Sequence, residues 1–175
     1  MRILAGYLGG REISRPANGS VRPMTEKLRG ALFNIIGNGD GQLVLDVYAG
    51  SGVIGLEALS RGAAQVVLLE GDRRVAATIR QTITQLGVDA QAQVITRPVE
   101  QWLLADHPTI FDLIVADPPY AQLNPTVLSQ LGRRLAETGI MVVSYSSRLE
   151  TPKLDGLKLV SDRRYGDASL AFYRH

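Results

Sequence analysis

Asp117, Pro118, Pro119 and Tyr120 follow directly on an apolar run in LIVADPPYAQ, residues 113–122. Two consecutive prolines remove two backbone donors and fix both φ angles, so a strand must end here and the segment beyond it stays stiffly extended. An acid and an aromatic ring are thereby presented on a rigid stub. That pairing suits chemistry on the exocyclic amine of a nucleobase. Such an amine is a poor nucleophile because its lone pair is delocalised into the ring, and it must become more tetrahedral before it can attack a methyl group. Acceptors aimed at its two N–H groups favour that change, and the Asp117 carboxylate with the Pro118 carbonyl can supply them. Tyr120 can stack on the base and fix its approach. Asp117, Pro118, Pro119 and Tyr120 are therefore the expected catalytic set.

A second cluster lies in DVYAGSGVIG, residues 46–55, where Gly50, Gly52 and Gly55 spell G-x-G-x-x-G. Alone, this pattern suits a dinucleotide enzyme. Asp46, four residues before the first glycine, changes the reading. A nicotinamide cofactor rests its pyrophosphate on the helix N-terminus after such a turn, where a nearby carboxylate would repel the phosphates. S-adenosylmethionine has no phosphate and offers an α-amino group, a sulfonium and a ribose diol, which an acid suits. Glu70 closes the next apolar run, 18 residues after Gly52, where a carboxylate can accept from both ribose hydroxyls. The expected cofactor residues are Asp46, Tyr48, Ala49, Gly50, Ser51 and Gly52 in the first turn, Glu70 and Gly71 in the second, and Asp117 across from them.

These groups need a frame that brings them together. After residue 42, strands are expected over 43–48, 66–70, 92–96, 111–116 and 140–145, and helices near 53–61, 73–86, 99–105 and 125–136. Strands that are apolar throughout and alternate with helices imply a parallel sheet covered on both faces. In a doubly wound α/β sheet of this kind the first and fourth strands are neighbours and ligands sit beyond their carboxyl ends. The glycine turn and Asp117–Tyr120 should then share one crevice. Residues 157–174, LKLVSDRRYGDASLAFYR, read as an antiparallel hairpin at the sheet edge. Ahead of the sheet, residues 2–5 and 11–14 read as two short strands around a Gly-rich turn. Thr25 caps a helix with Leu28, Leu32, Ile35 and Ile36 on one stripe, and Gly37 ends it. The expected organisation is an N-terminal extension over 1–40 and an α/β domain over 41–175.

The chain has 175 residues, enough for one sizeable core, and 45% hydrophobic with 21% charged residues is ordinary for a soluble protein. No apolar run approaches the roughly 20 residues of a membrane span. The first residues, broken by Gly6, Gly9 and Gly10, do not read as a signal peptide, so cytoplasmic residence is expected. The absence of cysteine excludes disulfides, thiolate metal sites and cysteine nucleophiles. With only His107, which reads as a loop residue, and His175, no metal site is expected. Residues 1–40 carry six Lys or Arg against three acids, while the remainder carries 13 against 14. Arg2, Arg11, Arg22, Lys27 and Arg29 in this basic leader are the expected contacts to nucleic-acid phosphates.

Taken together, DVYAGSG, EGD and ADPPY resemble the amino-directed, S-adenosylmethionine-dependent methyltransferases of the D/N-P-P-Y/F type. RILAGYLGGREI, VRPMTEKLRGALFNIIG and the closing RRYGDASL narrow the likeness to the RsmD family. That resemblance spans nearly the whole chain. It implies a Rossmann-like methyltransferase fold, mostly parallel with an antiparallel C-terminal edge, and methylation of a guanine N2 amine in small-subunit ribosomal RNA. It also implies S-adenosylmethionine as cofactor, S-adenosylhomocysteine as product, and ribosomal RNA or a small-subunit particle as partner of a monomer. The chain departs from the family pattern at Met24, where threonine is usual, at Gly30, where glutamate is usual, and at Pro98. At Pro98 the family usually carries an Asn or Asp that meets the adenine amino group. Proline cannot make that bond, so adenine recognition falls to the backbone around Val99.

Three other readings use the same residues. An adenine-N6 methyltransferase acting on DNA or RNA would need the same acceptors, and a nucleotide-binding module without catalysis would keep the glycine turn. A dehydrogenase fits least, as the chain has no room for a separate catalytic domain.

Overall fold

Val44 and Leu45 are consecutive, yet neither has any solvent exposure, because the sheet that holds them is covered on both sides. The computed structural model describes residues 1–14, 24–105 and 108–175, with the side chain of Tyr120 outside that description. Seven strands form one sheet: β1 (Leu43–Val47), β2 (Gln65–Glu70), β3 (Ala92–Thr96), β4 (Phe111–Ala116), β5 (Leu135–Ser146), β6 (Lys158–Tyr165) and β7 (Ala168–Arg174). Their order is β3-β2-β1-β4-β5-β7-β6. The first five run parallel, and β7 lies antiparallel between β5 and β6. The direction of winding reverses between β1 and β4, which pair in register from Val44 with Leu113 to Val47 with Ala116. This is the doubly wound, Rossmann-like arrangement, with the antiparallel edge read from the sequence.

One apolar layer receives α1 (Glu26–Ile36), α2 (Val53–Ser60), α3 (Arg73–Leu86) and the leader; the other receives α4 (Val99–Leu103) and α5 (Pro125–Gly132). Thr25 caps α1 as expected, its hydroxyl accepting from the Leu28 amide at 3.2 Å. Asn124 caps α5, which stops at Gly132 and does not continue to residue 136. The chain after it becomes β5: Leu135 pairs with Phe111, residues 136–139 bulge, and regular pairing with β4 resumes at Ile140. Met24, at a position usually threonine, is buried in the first core, and Gly30 leaves room beside Leu4.

The leader forms the expected hairpin pairing only in part. An antiparallel bridge at Arg2 and Glu12 joins its two arms, with the Ile3 amide donating to the Arg11 carbonyl at 3.0 Å and the Ile13 amide to the Met1 carbonyl at 2.7 Å. Four further backbone donors go to α2: the amides of Leu4 and Ala5 donate to the Glu57 carboxylate at 2.6 and 3.1 Å, Tyr7 to the Ser60 carbonyl at 2.9 Å, and Leu8 to the Ser60 hydroxyl at 2.9 Å. Each satisfied this way is lost to a strand ladder. Gly6 makes the closest approach, since a Cβ there would lie 1.7 Å from the Ser60 carbonyl oxygen.

Glu57 has no exposed surface. Beside the two amides it meets Arg29 Nε at 3.5 Å and Arg61 Nε at 2.8 Å. Arg29 also donates to the Arg2 carbonyl at 2.6 Å. Burial pushes the Arg29 guanidinium below its usual range, and Glu57 offsets part of that fall. This corrects the reading of Arg29 as an RNA contact: it is fully buried, and its charge answers a carboxylate inside the protein.

A buried pair broken from one side leaves a charge with no compensation, at a typical cost of about 3–5 kcal/mol. Glu57→Ala should destabilise the chain by about that amount in urea unfolding. A loss below about 1 kcal/mol would mean the leader docks without this carboxylate.

Candidate active site

β1 ends at Val47, and the next residue bends sharply. Tyr48 has φ of 61°, a conformation rare for a bulky side chain and commonly held in place at functional sites. Burial, with Glu100 nearby, pushes its phenol up to about 12. Gly50 and Gly52 then take φ of 57° and 75°, and Gly52 caps α2. Gly55 lets the helix lie directly on the sheet, since a Cβ there would come within 2.7 Å of Val66 Cγ2. The three glycines of the motif therefore serve the turn and the helix packing.

The acids at the strand ends complete the crevice. Glu70, partly exposed at the end of β2, accepts from the Gly50 amide and the Asp72 amide, both at 2.8 Å. Asp72 in turn caps α3, accepting from Arg74 and Val75. Each Glu70 oxygen keeps a lone pair for a ligand hydroxyl. Asp46 lies deeper. Its Oδ2 accepts from the Gly55 amide at 2.8 Å, its Oδ1 has no partner among the described residues, and the residue has no exposed surface. One oxygen thus anchors the glycine turn from beneath and the other is left unpaired. Burial raises its pKa well above the usual carboxylate range, the Gly55 amide opposes the rise, and Asp117 and Glu70 add to it.

Asp117 stands one residue past β4, and its amide lies 3.4 Å from the Val47 carbonyl, which ties the two strand ends together. Burial pushes its carboxyl up to about 6. Ser144 on the adjoining β5 offsets part of that rise. Pro118 is buried and Pro119 exposed, and a short 3₁₀ turn spans Tyr120–Gln122. The Tyr120 side chain lies outside the described residues. Asp46, Glu70 and Asp117 thus end three adjacent strands, and none forms an ion pair among the described residues.

The other expected cofactor residues divide by exposure. Ala49, Ser51 and Gly52 are buried in the turn, Gly71 is exposed beside Pro98, and Val99 is a buried first residue of α4. Pro98 occupies the cap of α4 with no side-chain hydrogen bond. Of the expected RNA contacts, Arg2, Arg11 and Lys27 are exposed, Arg2 lying 3.6 Å from Glu26. Arg22 and His107 lie outside the described residues. The leader follows α2, with Met1 Sδ at 3.3 Å from the Ser51 hydroxyl at one end and Tyr7 at Ser60 at the other. Two residues escaped the sequence reading. Ser144 was signalled only by its polarity within IMVVSYS, and Glu57 only by an acid in an otherwise apolar helix, VIGLEALS.

Comparison with known proteins gives the same picture. The Bacillus subtilis protein named "Putative rRNA methyltransferase YlbH" is 33% identical over 181 residues, covering 99% of this chain and 98% of that one. Ribosomal RNA small subunit methyltransferase D of Escherichia coli (strain K12) is 36% identical over 122 residues. That match covers 69% of this chain and 60% of the relative, so the chain spans about three fifths of it. Among solved structures, "Putative methyltransferase yhhF from Escherichia coli" superposes with a TM-score of 0.88 at 28% identity, over 100% of this chain and 97% of that one. The model of the family described as Conserved hypothetical protein 95, Cons_hypoth95, matches residues 1–174. With its length matched almost end to end, the chain belongs to that family, the RsmD family.

Proposed function

We propose that the chain is an S-adenosylmethionine-dependent methyltransferase acting on small-subunit ribosomal RNA, at the exocyclic N2 amine of a guanine. The observation that carries this reading is the set of three strand-end acids around the glycine turn, with no cation paired to any of them among the described residues. Such a site repels a pyrophosphate and favours a ligand with an ammonium and a sulfonium. Glu70 would hold the ribose hydroxyls, the Gly50–Gly52 backbone the rest of the ligand's polar edge, and the segment at Gly71 and Val99 its base. When bound, S-adenosylmethionine supplies an electrophilic methyl group. The relatives named as ribosomal RNA methyltransferases support the RNA substrate.

The chain's own groups do the rest. The Asp117 carboxylate and the Pro118 carbonyl accept from the two N–H groups of the incoming amine and favour its tetrahedral form, so the positive charge developing on nitrogen meets preorganised acceptors. Tyr120 stacks on the base. Asp117 must be ionised to accept, and burial pushes its carboxyl up to about 6. Activity should therefore rise as pH passes upward through about 6. Arg2, Arg11, Arg22 and Lys27 contact RNA phosphates. The enzyme acts as a monomer in the cytoplasm; among the described residues no helix is long and apolar enough to cross a membrane. An adenine-N6 methyltransferase would use the same acceptors, so the product nucleoside decides between them.

Incubation with labelled S-adenosylmethionine and separate small-subunit RNA and DNA, followed by nucleoside analysis, should yield N2-methylguanosine from RNA alone. Labelled N6-methyladenosine would establish the adenine reading, and cofactor binding without product would reduce the chain to a binding module. In a separate measurement, Arg2→Ala with Lys27→Ala should lower the salt slope of RNA binding by about 2 and leave cofactor affinity unchanged. An unchanged slope would assign these residues to the fold.

A further inference from the structure

Ser144 is a hydroxyl in a strand segment whose flanking residues Val142, Val143 and Tyr145 are buried. It has no exposed surface, and its Oγ has no hydrogen-bond partner among the described residues. A buried hydroxyl left unpaired is destabilising, and alanine would fill the same space without that penalty. The strand register shows what the hydroxyl faces. Ala116 of β4 pairs with Val143 of β5, so the next residues, Asp117 and Ser144, stand side by side where β4 ends. Residues two apart share a face of a strand. Asp117 therefore follows Val115, and Ser144 follows Val142, into the core layer beneath α2. This is the layer that also holds Asp46.

We infer that Ser144 is a positioning residue for methyl transfer: its hydroxyl donates to one oxygen of the Asp117 carboxylate and turns the other oxygen toward the incoming amine. The inference rests on the function proposed above. Asp117 is only partly exposed, forms no ion pair among the described residues, and lies near enough to the Asp46 carboxyl of β1 to raise its pKa. A hydroxyl is the smallest group that can oppose the burial of a carboxylate there without placing a cation in a site meant for a cationic ligand. The direction of its effect agrees, since Ser144 lowers the Asp117 pKa that burial raises.

The test is the pH profile of Ser144→Ala beside the parent. With the donor removed, Asp117 gains its proton at higher pH. The acid limb of the single-turnover methylation rate should move up by about 0.5 to 1 pH unit. At pH 6 the variant should run roughly twofold to fivefold slower than the parent, and at pH 8 within about twofold. Ser144→Thr, which keeps the hydroxyl, should restore the parent limb. A merely structural role would change the rate equally at both pH values or not at all, and either result overturns the inference. Carboxyl-carbon NMR titration of Asp117 in the cofactor-free protein gives the second reading. It should show the same upward displacement in Ser144→Ala. An unmoved Asp117 titration overturns the positioning role whatever the activity shows. A displaced titration in a chain that methylates nothing would uphold the pairing and overturn only the proposed function.

Discussion

Glu57 holds a carboxylate on a helix whose eight residues are all buried, and that burial constrains the rest of the structure. A helix buried on every side cannot shift to suit its neighbours, so its two ends are fixed points. At one end the Asp46 carboxylate holds the Gly55 amide and sets the glycine turn. At the other, Glu57 and Ser60 collect the leader's backbone donors and two arginines. The cofactor turn and the basic leader are thus fastened to the same short rod. Two buried charged groups are tolerable in such a place because each is hydrogen-bonded as well as paired.

The crevice above this rod is arranged for ligands at the expense of stability. Asp46 and Asp117 are desolvated carboxyl groups whose pKa values rise in the folded chain. Tyr48 holds a strained backbone angle, and the Ser144 hydroxyl has no hydrogen-bond partner among the described residues. Each feature is unfavourable alone, and they meet at the ends of β1, β4 and β5. Such concentration is what a site that must stabilise charge only during reaction requires.

Much of this was legible in the sequence because it rests on local chemistry. The runs 92–96 and 111–116 are strands with those bounds, and the Asp-Pro-Pro stop falls across the sheet's switch point from the glycine turn. Other features depended on partners distant in the chain. Arg29 counted as one more surface charge until Glu57, 28 residues on, was seen to bury it. Spacing places Asp46 beside the turn but does not tell that one of its oxygens is taken by the Gly55 amide. Residues 133–136 continued a helical pattern, yet Leu135 is drawn into β5 by its pairing with Phe111. The arms of the Gly-rich leader pair as a short hairpin, but only the packing on α2 shows where the amides between them go.

Everything proposed for catalysis depends on the Asp117 carboxylate acting on the amine and not on cofactor retention alone. Single-turnover methylation of small-subunit RNA at saturating S-adenosylmethionine, comparing Asp117→Ala and Asp117→Asn with the parent, measures this directly. The alanine variant should fall by on the order of 10²-fold or more, with cofactor affinity little changed, and the asparagine variant, which keeps an acceptor oxygen, should retain more activity. An alanine variant that methylates at the parent rate would contradict the account and leave the Asp-Pro-Pro segment as no more than a rigid end to a strand.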